Sequence, residues 1–548
     1  MLPSRCSRIL IGLAAVALLA AACTPAEVPS TSYDDLVTLF EEWRAFEQPE
    51  FVDGVPDYSA QAMAAQHREL AGYQRRLAAI DPTGWPVAQQ VDHHLVAAEM
   101  NGLDFDHRVR RPWVRNPAFY TMIFAAQSDV PAHEGPVIHG WIDLWTYDYP
   151  LSQEDAAQLS ERIGSIPPLL DQARRNLVDD AADLWTMAGR SMEGQVRDLE
   201  ALATRVAGTS TELEAAIRGA VESTDEFHAW LESAATSKSG PSGVGKENYT
   251  WYAQNVHLVP YTWEEQVTIM RRELARAHAV LRLEENRNRR LPQLSRVGSA
   301  REYDRRFNAA VGEFVTFLEE EEIVSMRDYM DAALRARIGE FTESDGLRGF
   351  FSEVSYRDPV SMRTHGYHWI ELAMMENEPH ESPIRRVPSL YNIFDARSEG
   401  LATGMEEMMM HAGLFDDRPR ARELIYILLA QRAARAIGGL MMHANEWTMA
   451  EAVQFASEWT PRGWLPEDGN TVWGEQHLYL QQPGYGTSYI IGKIEIEQLM
   501  AERALQLGDD FTLKGFMDEF VSVGVIPVSL VRWELTGRDD VISRMAAR

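Results

Sequence analysis

Acidic and imidazole side chains are concentrated in one stretch of the C-terminal third of the chain. The segment HWIELAMMENEPHESPIRR (368–386) contains four glutamates and two histidines, and SEGLATGMEE (398–407) adds Glu399 shortly afterwards. When several carboxylates are crowded together, the pKa of at least one of them rises, which suits proton transfer. Carboxylates together with imidazoles can also hold a divalent metal. The simpler interpretation is that several of these glutamates, Glu371 and Glu378 among them, form the solvated face of a helix.

Helices are the elements that must position these groups. From Tyr33 onward apolar residues recur at three- and four-residue steps, as at Leu36, Leu39 and Trp43. The same pattern predicts helices over roughly 58–80, 86–103, 154–176, 180–206, 210–236, 262–288, 300–320 and 322–340. Alternating runs of β-branched residues are scarce, so strands are expected to be few and short. We predict an all-α, mostly helical fold with a deep cleft between helices of the C-terminal half.

The clearest internal break is a cluster of Gly, Ser and Pro at 237–246. It is typical either of a linker between domains or of a loop inside one domain. We favour the loop, because the helices on both sides need packing partners and neither half looks self-contained. One helical domain is therefore expected over 34–548.

The first residues are typical of an export signal. Arg5 and Arg8 precede an apolar run from Ile9 to Ala22, which is too short to span a bilayer as a helix. Small residues then lead to Cys23, in an arrangement that resembles the bacterial lipobox, whose cysteine becomes a lipidated N-terminus. We predict a signal peptide at 1–22, a lipidated N-terminus and linker at 23–33, and attachment through that lipid, facing the periplasm from the outer membrane. The alternative is an ordinary signal peptide with an incidental Cys23.

Charge and cysteine content exclude several classes of function. The net charge is −30, and phosphate backbones repel such a surface, so nucleic acid is not an expected partner. The chain has two cysteines, Cys6 in the leader and Cys23 at its end, so the mature domain has no disulfide, thiolate metal site or cysteine nucleophile. The expected partner is a small-molecule or peptide ligand.

Three further segments follow the two acidic ones, namely RAARAIGGLMMHANEWT (432–448), PGYGTSYIIGKIEIEQL (483–499) and FMDEFVSVGVIPVSLV (516–531). In this order and spacing, together with GKENYTWYAQNVH (245–257), they resemble the domain-of-unknown-function 885 family. The resemblance covers 240–537 well and the N-terminal half only in general character. It implies an almost entirely helical, secreted or lipid-tethered protein related to zinc peptidases.

The family's motif H-E-x-x-P-G-H, with a later E-G-W-A, resembles a zinc site with a glutamate as general base. Aligned on Pro379, the resemblance implies that Glu376 is the general base and that Glu399 is the later metal ligand. The two motif histidines are replaced here by Met375 and Glu381. A thioether is a poor zinc ligand. A site formed by Glu376, Glu381 and Glu399 would have only oxygen ligands, which suit Ca²⁺, Mg²⁺ or Mn²⁺ better than Zn²⁺.

Three interpretations of this departure stay open. A neighbouring histidine substitutes as a ligand, the nearest being His380, with His365 and His368 upstream as candidates for substrate binding or ligation. Alternatively the pocket does acid/base chemistry without metal, or it has lost catalysis and only binds. A divalent metal is accordingly a possible cofactor, with zinc implied by the resemblance alone.

Two more positions match the family's pattern. His443 occupies the place of a family histidine, and Tyr489 that of a tyrosine after the Pro-Gly turn, where a phenol could donate to a developing oxyanion. Each has a simpler interpretation, as a satisfied core histidine and a buried aromatic anchor respectively. The family's acidic residue and arginine near these places are Gly439 and Leu478 here, so a salt-bridged outer shell is expected to be missing.

The pattern His133-Glu134 with His139 imitates the motif spacing, but Gly135 and Pro136 interrupt it, and we interpret it as a surface loop. The leading hypothesis for function is an envelope-tethered, peptidase-like hydrolase acting on peptides or small amide-like molecules. The alternatives are a non-catalytic ligand-binding lipoprotein and a metal-independent lyase or isomerase using the same cleft.

Overall fold

The computed structural model describes residues 29–547, so the predicted signal peptide and Cys23 lie outside the described residues. The all-α prediction is confirmed, since 67% of the chain is helical and the strands are short. The first 235 residues contain the helices α1 (Tyr33–Glu47), α2 (Ala60–Ala78), α3 (Val87–Phe105), α4 (Pro112–Arg115), α5 (Gln153–Gly164), α6 (Ile166–Asn176), α7 (Ala182–Arg205) and α8 (Thr211–Ala235).

The middle of the chain continues with α9 (Lys246–Asn255), α10 (Trp263–Arg287), α11 (Ala300–Glu320), α12 (Met330–Arg335), α13 (Phe350–Ser355), α14 (Pro359–His365) and α15 (Tyr367–Asn377). The C-terminal helices are α16 (Asp395–Ala412), α17 (Ala421–His443), α18 (Met449–Trp459), α19 (Asn470–Gln481), α20 (Tyr485–Leu507), α21 (Leu513–Ser522), α22 (Val528–Thr536) and α23 (Asp540–Ala546).

The strands form two small pairs. β1 (Phe51–Val52) and β2 (Val55–Pro56) are antiparallel, whereas β3 (Ile123–Phe124) and β4 (Ile142–Asp143) are parallel. The parallel pair fixes both ends of the long loop at 125–141.

Two predicted helices differ from the structure. The segment 154–176 is two helices rather than one, because prolines stand at the second and third positions of α6 and cannot continue a preceding helix. The segment 322–340 is helical only over α12. The segment 237–245 is irregular, and Gly245 N donates to the carbonyl of His443 at the end of α17.

The core is built around α17, every residue of which from Glu423 to His443 is buried. Its length and apolar composition would allow it to cross a membrane, but its complete burial identifies it as the central helix of the folded body. One continuous hydrophobic core extends from Leu36 in α1 to Met545 in α23. The helices of the C-terminal half therefore pack on a common centre.

Helices α16 and α20 approach each other unusually closely. A Cβ atom built on Gly492 would lie 1.6 Å from the carbonyl oxygen of Ala396, and one on Gly400 would lie 2.4 Å from Gly492 Cα. Only glycine permits such backbone contact. Because Glu399 precedes Gly400 and Tyr485 begins α20, this contact brings two polar side chains together inside the core.

Candidate functional site

Two histidines meet where α14 passes into α15. His365 ends α14 and His368 lies in the first turn of α15, with Gly366 between the helices. Asp358 fixes the start of α14 by accepting a hydrogen bond from Val360 N. The two imidazole rings lie 5.0 Å apart at an interplanar angle of 85°. Both rings contact side chains of α16.

The loop at 125–141 supplies a third group. Its Asp129 carboxylate and one ring nitrogen each of His365 and His368 lie within 4.8 Å of one another. Within residues 29–547 this is the only set of three or more His, Cys, Asp or Glu side chains with such spacing. Together with Glu399, which contacts His368, these residues are called the histidine–carboxylate cluster below.

His368 is held on both sides by α16. Its Nε2 lies 3.2 Å from Glu399 Oε2, and its Nδ1 lies 3.2 Å from the Ser398 hydroxyl. Burial lowers the pKa of His368, but the charges of Asp129 and Glu399 outweigh burial and raise it to about 9. Burial likewise raises the pKa of Glu399, but His368 overcomes this and holds it at about 2. The two side chains form a buried ion pair when no other cation is present.

His365 is oriented by a second buried pair. Glu406 accepts two hydrogen bonds of 2.7 Å from Arg432, and His365 Nδ1 lies 3.2 Å from both Glu406 Oε1 and Arg432 Nη2. These contacts occupy Nδ1 and leave Nε2 of His365 for another partner. A histidine whose second nitrogen faces a carboxylate is the usual arrangement behind a metal ligand.

Tyr485 joins two carboxylates. Its hydroxyl lies 2.6 Å from Glu399 Oε1 and 2.6 Å from Glu134 Oε1. A phenol has one proton to donate, so two contacts of this length with carboxyl groups need a second proton. Burial, and then the charge of Asp129, raise the pKa of Glu134 to about 7, so Glu134 is the group that carries it. We call Glu134–Tyr485–Glu399 the tyrosine bridge.

Hydrogen bonds anchor the loop over this bridge. Gly135 N donates to Gln482 Oε1 at 2.6 Å, and the Gly135 carbonyl accepts from Asn392 Nδ2 at 3.1 Å. Gln482 in turn donates to Asp395, a buried carboxyl whose pKa is raised mainly by burial and then by the charge of Glu399. The loop is thus attached to both α16 and the start of α20.

The donor set of the cluster fits a divalent metal. Two imidazole nitrogens and a carboxylate oxygen are ligands that catalytic zinc sites use, with a further position left for water. Asp129, His365 and His368 would hold the metal, and their ligand atoms already lie within 4.8 Å of one another. His365 has on Nδ1 the carboxylate partner that such ligands use, whereas His368 has a partner on each nitrogen and must release one of them to bind a metal.

Of the residues predicted from sequence, His365, His368, Glu399 and Tyr489 lie in or beside the cluster. The ring of Tyr489 packs edge-on against Tyr485 at 5.7 Å, and Arg432 lies 5.5 Å from its centre. His443 does not belong to the cluster. It is a buried core histidine whose Nε2 lies 2.8 Å from the Tyr479 carbonyl and whose Nδ1 has no hydrogen-bond partner among residues 29–547, and burial lowers its pKa to about 4.

Glu376, His380 and Glu381 were predicted to converge with Glu399, and the structure does not bring them together. Glu376 and Glu381 are exposed, whereas Glu399 is buried in the core. His380 and Glu381 line a separate cavity of about 440 Å³. The physical reason is helix direction: α15 begins in the core at His368 and runs outward, so its end and the following Pro379 turn reach the surface.

Sequence reasoning missed Asp129, Glu134 and Tyr485. Glu134 was assigned to a surface loop, and the loop is indeed irregular, but it folds inward over the cluster. His133 and His139 of the same loop pair elsewhere, with Asp143 and Glu47, at 2.9 Å and 3.0 Å. The sequence signal that could have indicated the position of Glu134 is the Gly135–Pro136 turn directly after it.

Comparison with known proteins extends this description. The family model "Bacterial protein of unknown function (DUF885)" matches residues 47–346 and 368–535, so the resemblance reaches far into the N-terminal half. The match omits 347–367, which contains His365. No curated protein matches the sequence.

Two solved structures share the fold. A proposed lipoprotein of unknown function from Shewanella oneidensis is 17% identical with a TM-score of 0.66, covering 92% of this chain and 97% of its own. A proposed lipoprotein from Colwellia psychrerythraea is 14% identical with a TM-score of 0.59, covering 94% and 98%. The family match spans most of the sequence, and the chain therefore belongs to the DUF885 family of bacterial proteins of unknown function.

Proposed function

We propose that this protein is a metal-dependent hydrolase that cleaves peptides or small amide-like molecules at the histidine–carboxylate cluster. The observation that carries the proposal is the convergence of Asp129, His365 and His368 beside the tyrosine bridge. Burying so many ionisable groups costs stability unless each is paired, and such clusters concentrate at functional sites.

Asp129, His365 and His368 are the residues that would hold a divalent metal. A bound metal supplies an activated water at neutral pH and polarises the carbonyl of the substrate. Glu406 and Arg432 hold Nδ1 of His365 and leave its Nε2 for the metal. Both nitrogens of His368 have a partner, Ser398 or Glu399, so His368 has to give up one of these contacts and its proton to bind a metal.

Glu134 is the proposed general base and acid. With a pKa of about 7 it exists in both protonation states near neutral pH, which is where proton transfer is most effective. It takes a proton from the attacking water as the hydroxyl adds to the carbonyl carbon. It then returns that proton to the leaving nitrogen as the C–N bond breaks. Tyr485 holds the Glu134 carboxyl in place through its 2.6 Å hydrogen bond.

The outer side of the same loop favours substrates with an apolar group. A cavity of about 330 Å³ lies between the loop and α15, and Phe124, Val130, Trp141 and Leu372 contribute its apolar walls. Val130 follows Asp129 directly, and Leu372 lies one helical turn after His368. An apolar side chain in this cavity would be adjacent to the cluster, and its burial would add binding free energy.

We propose that the protein works in the cell envelope, attached through a lipid on Cys23 and facing the periplasm from the outer membrane. The lipobox-like leader supports this, and the Shewanella oneidensis and Colwellia psychrerythraea proteins of the same fold are themselves proposed lipoproteins.

A screen of peptides and N-acyl amides, with release of amine as the readout, tests the proposal. We expect hydrolysis by the wild type, loss of hydrolysis in the variant His365→Ala/His368→Ala, and loss after EDTA treatment. His380→Ala is the matched control, since His380 lies away from the cluster, and it should keep full activity. Hydrolysis that survives in the double variant would contradict the proposed site.

A second candidate is a metal-independent lyase or isomerase. It is favoured by the buried ion pair of His368 with Glu399, because protonated His368 already supplies positive charge beside the tyrosine bridge. This candidate predicts turnover that EDTA leaves unchanged and a product that contains no added water. A protein that is stabilised by a ligand without turnover would instead be a binding lipoprotein.

A further inference from the structure

A third cavity lies away from the loop, beside the middle and later turns of α20. It has a volume of about 330 Å³ and is formed by the residues before α10 together with α20, α22 and α23. Glu495 on α20 contributes to its lining. Tyr485 of the tyrosine bridge lies ten residues earlier on the same helix, about 15 Å away along the axis. The two sites are therefore separate.

Glu495 is a buried carboxyl without a partner. The residue is only 8% exposed, its carboxylate opens onto the cavity, and it makes no hydrogen bond or ion pair with any of the residues 29–547. Buried carboxyl groups in folded proteins are nearly always hydrogen-bonded or paired, because an isolated one is costly. Burial alone raises the pKa of Glu495 to about 8. A partner from outside the chain would remove this cost.

The charges around the cavity favour a positive partner. The acidic groups are Glu265, Glu495, Glu502 and Asp540, and the basic groups are Arg532 and Arg544, which leaves a net charge of −2 when all are ionised (two positive minus four negative).

Neither arginine pairs with Glu495. Arg532 donates to both oxygens of Glu502, at 2.8 Å and 3.1 Å, and to Asp540 at 2.8 Å. Arg544 lies 3.7 Å from Asp540. Glu265 is occupied as well, since it accepts from Thr262 N at the start of α10.

Apart from the uncharged polar residues Gln498 and Ser529, the remaining walls are apolar or aromatic and suit an organic cation better than a metal ion. Pro260, Val528, Val541 and Met545 line the cavity, and the ring of Tyr261 adds an aromatic face. Ca²⁺ needs six to eight oxygen ligands and Mg²⁺ six. No set of three close ligand atoms occurs here among the described residues. A short alkyl chain would fill the apolar part, and a cation beside an aromatic face gains further attraction.

We propose that this cavity binds a small organic cation, a primary ammonium on a short alkyl chain, with the ammonium paired to Glu495. The inference goes beyond the proposed hydrolase, because it neither uses nor requires the histidine–carboxylate cluster. The strongly negative surface of the chain, with a net charge of −30, would concentrate such cations near the cavity.

Calorimetric titration of the purified protein with n-butylammonium and with 1,4-diaminobutane tests the proposal. We expect saturable binding at one site, weakened about tenfold or more in Glu495→Gln. Glu458→Gln, which removes one exposed carboxylate elsewhere, is the matched control and should bind as the wild type does. The Glu495→Gln variant should fold at least as stably as the wild type, because it loses an unpaired buried carboxyl.

A second variant guards against failure of the first to fold. Val541→Lys places an ammonium group inside the cavity, so it should abolish binding of the added amines. Absence of saturable amine binding by the wild type, equal binding by Glu495→Gln, or binding of Ca²⁺ or Mg²⁺ in place of the amines would each overturn the proposal.

Discussion

The close contact between α16 and α20 gives a prediction whose magnitude follows from a distance. Replacing Gly492 with alanine puts a methyl group 1.6 Å from the carbonyl oxygen of Ala396. An ordinary contact between these atoms is about 3.4 Å, so α16 and α20 must separate by almost 2 Å. Overpacking a core with a methylene costs about 1–3 kcal/mol, and here the obstruction is backbone, which cannot rotate away. We expect Gly492→Ala to lose about 3 kcal/mol of unfolding free energy.

The same separation would disturb the site. The tyrosine bridge joins α16 to α20 through the 2.6 Å contact between Tyr485 and Glu399, and a shift of almost 2 Å breaks that contact. Urea unfolding measures the stability, and amide hydrolysis measures the site. Gly219→Ala is the matched control, because Gly219 lies inside α8 with open space around its Cα, and alanine there should stabilise by up to about 1 kcal/mol. Wild-type stability in Gly492→Ala would refute the geometric argument.

Three further predictions concern pH and binding. The wild-type Glu134 carboxyl becomes a base as it ionises near pH 7, so Glu134→Gln should abolish the rise of the hydrolysis rate through that pH. An unchanged pH–rate profile in this variant would exclude Glu134 as the base. Val130→Arg should raise KM for substrates with an apolar side chain by about tenfold or more while leaving small polar amides unaffected, as kinetics on matched substrate pairs would measure. The buried His257 has a pKa lowered to about 4 by burial, so its neutral form favours the folded state. Stability should therefore be complete above the unfolded pKa of about 6.5 and fall as pH drops towards 4, by up to roughly 3 kcal/mol from this residue. Urea unfolding of His257→Gln should show a shallower loss, and an equal loss would contradict the assignment.

The three- and four-residue spacing of apolar residues predicted most of the helices. The helices predicted at 262–288 and 300–320 are found as α10 and α11 almost at those bounds, because each has an apolar stripe and a side-chain cap at its start, Thr262 and Ser299. Helix patterns say little about irregular segments, and the prediction failed at 322–340, where only α12 is helical.

The candidate site could be predicted only in part. His365, His368 and Glu399 lie within a single stretch of helices, so their proximity was accessible from sequence. Asp129 is more than 230 residues from His365, on a loop whose path is set by hydrogen bonds to Gln482 and Asn392 rather than by any periodic pattern. Motif alignment on Pro379 pointed instead to Glu376, which α15 carries to the surface.

Elemental analysis of the purified protein tests the central claim most directly. We expect the wild-type protein to hold about one divalent metal ion per chain after dialysis. The ion should be lost in His365→Ala/His368→Ala and retained in His380→Ala. A wild-type protein that holds no metal even after incubation with Zn²⁺ or Mn²⁺, or a double variant that holds as much as the wild type, would contradict the claim.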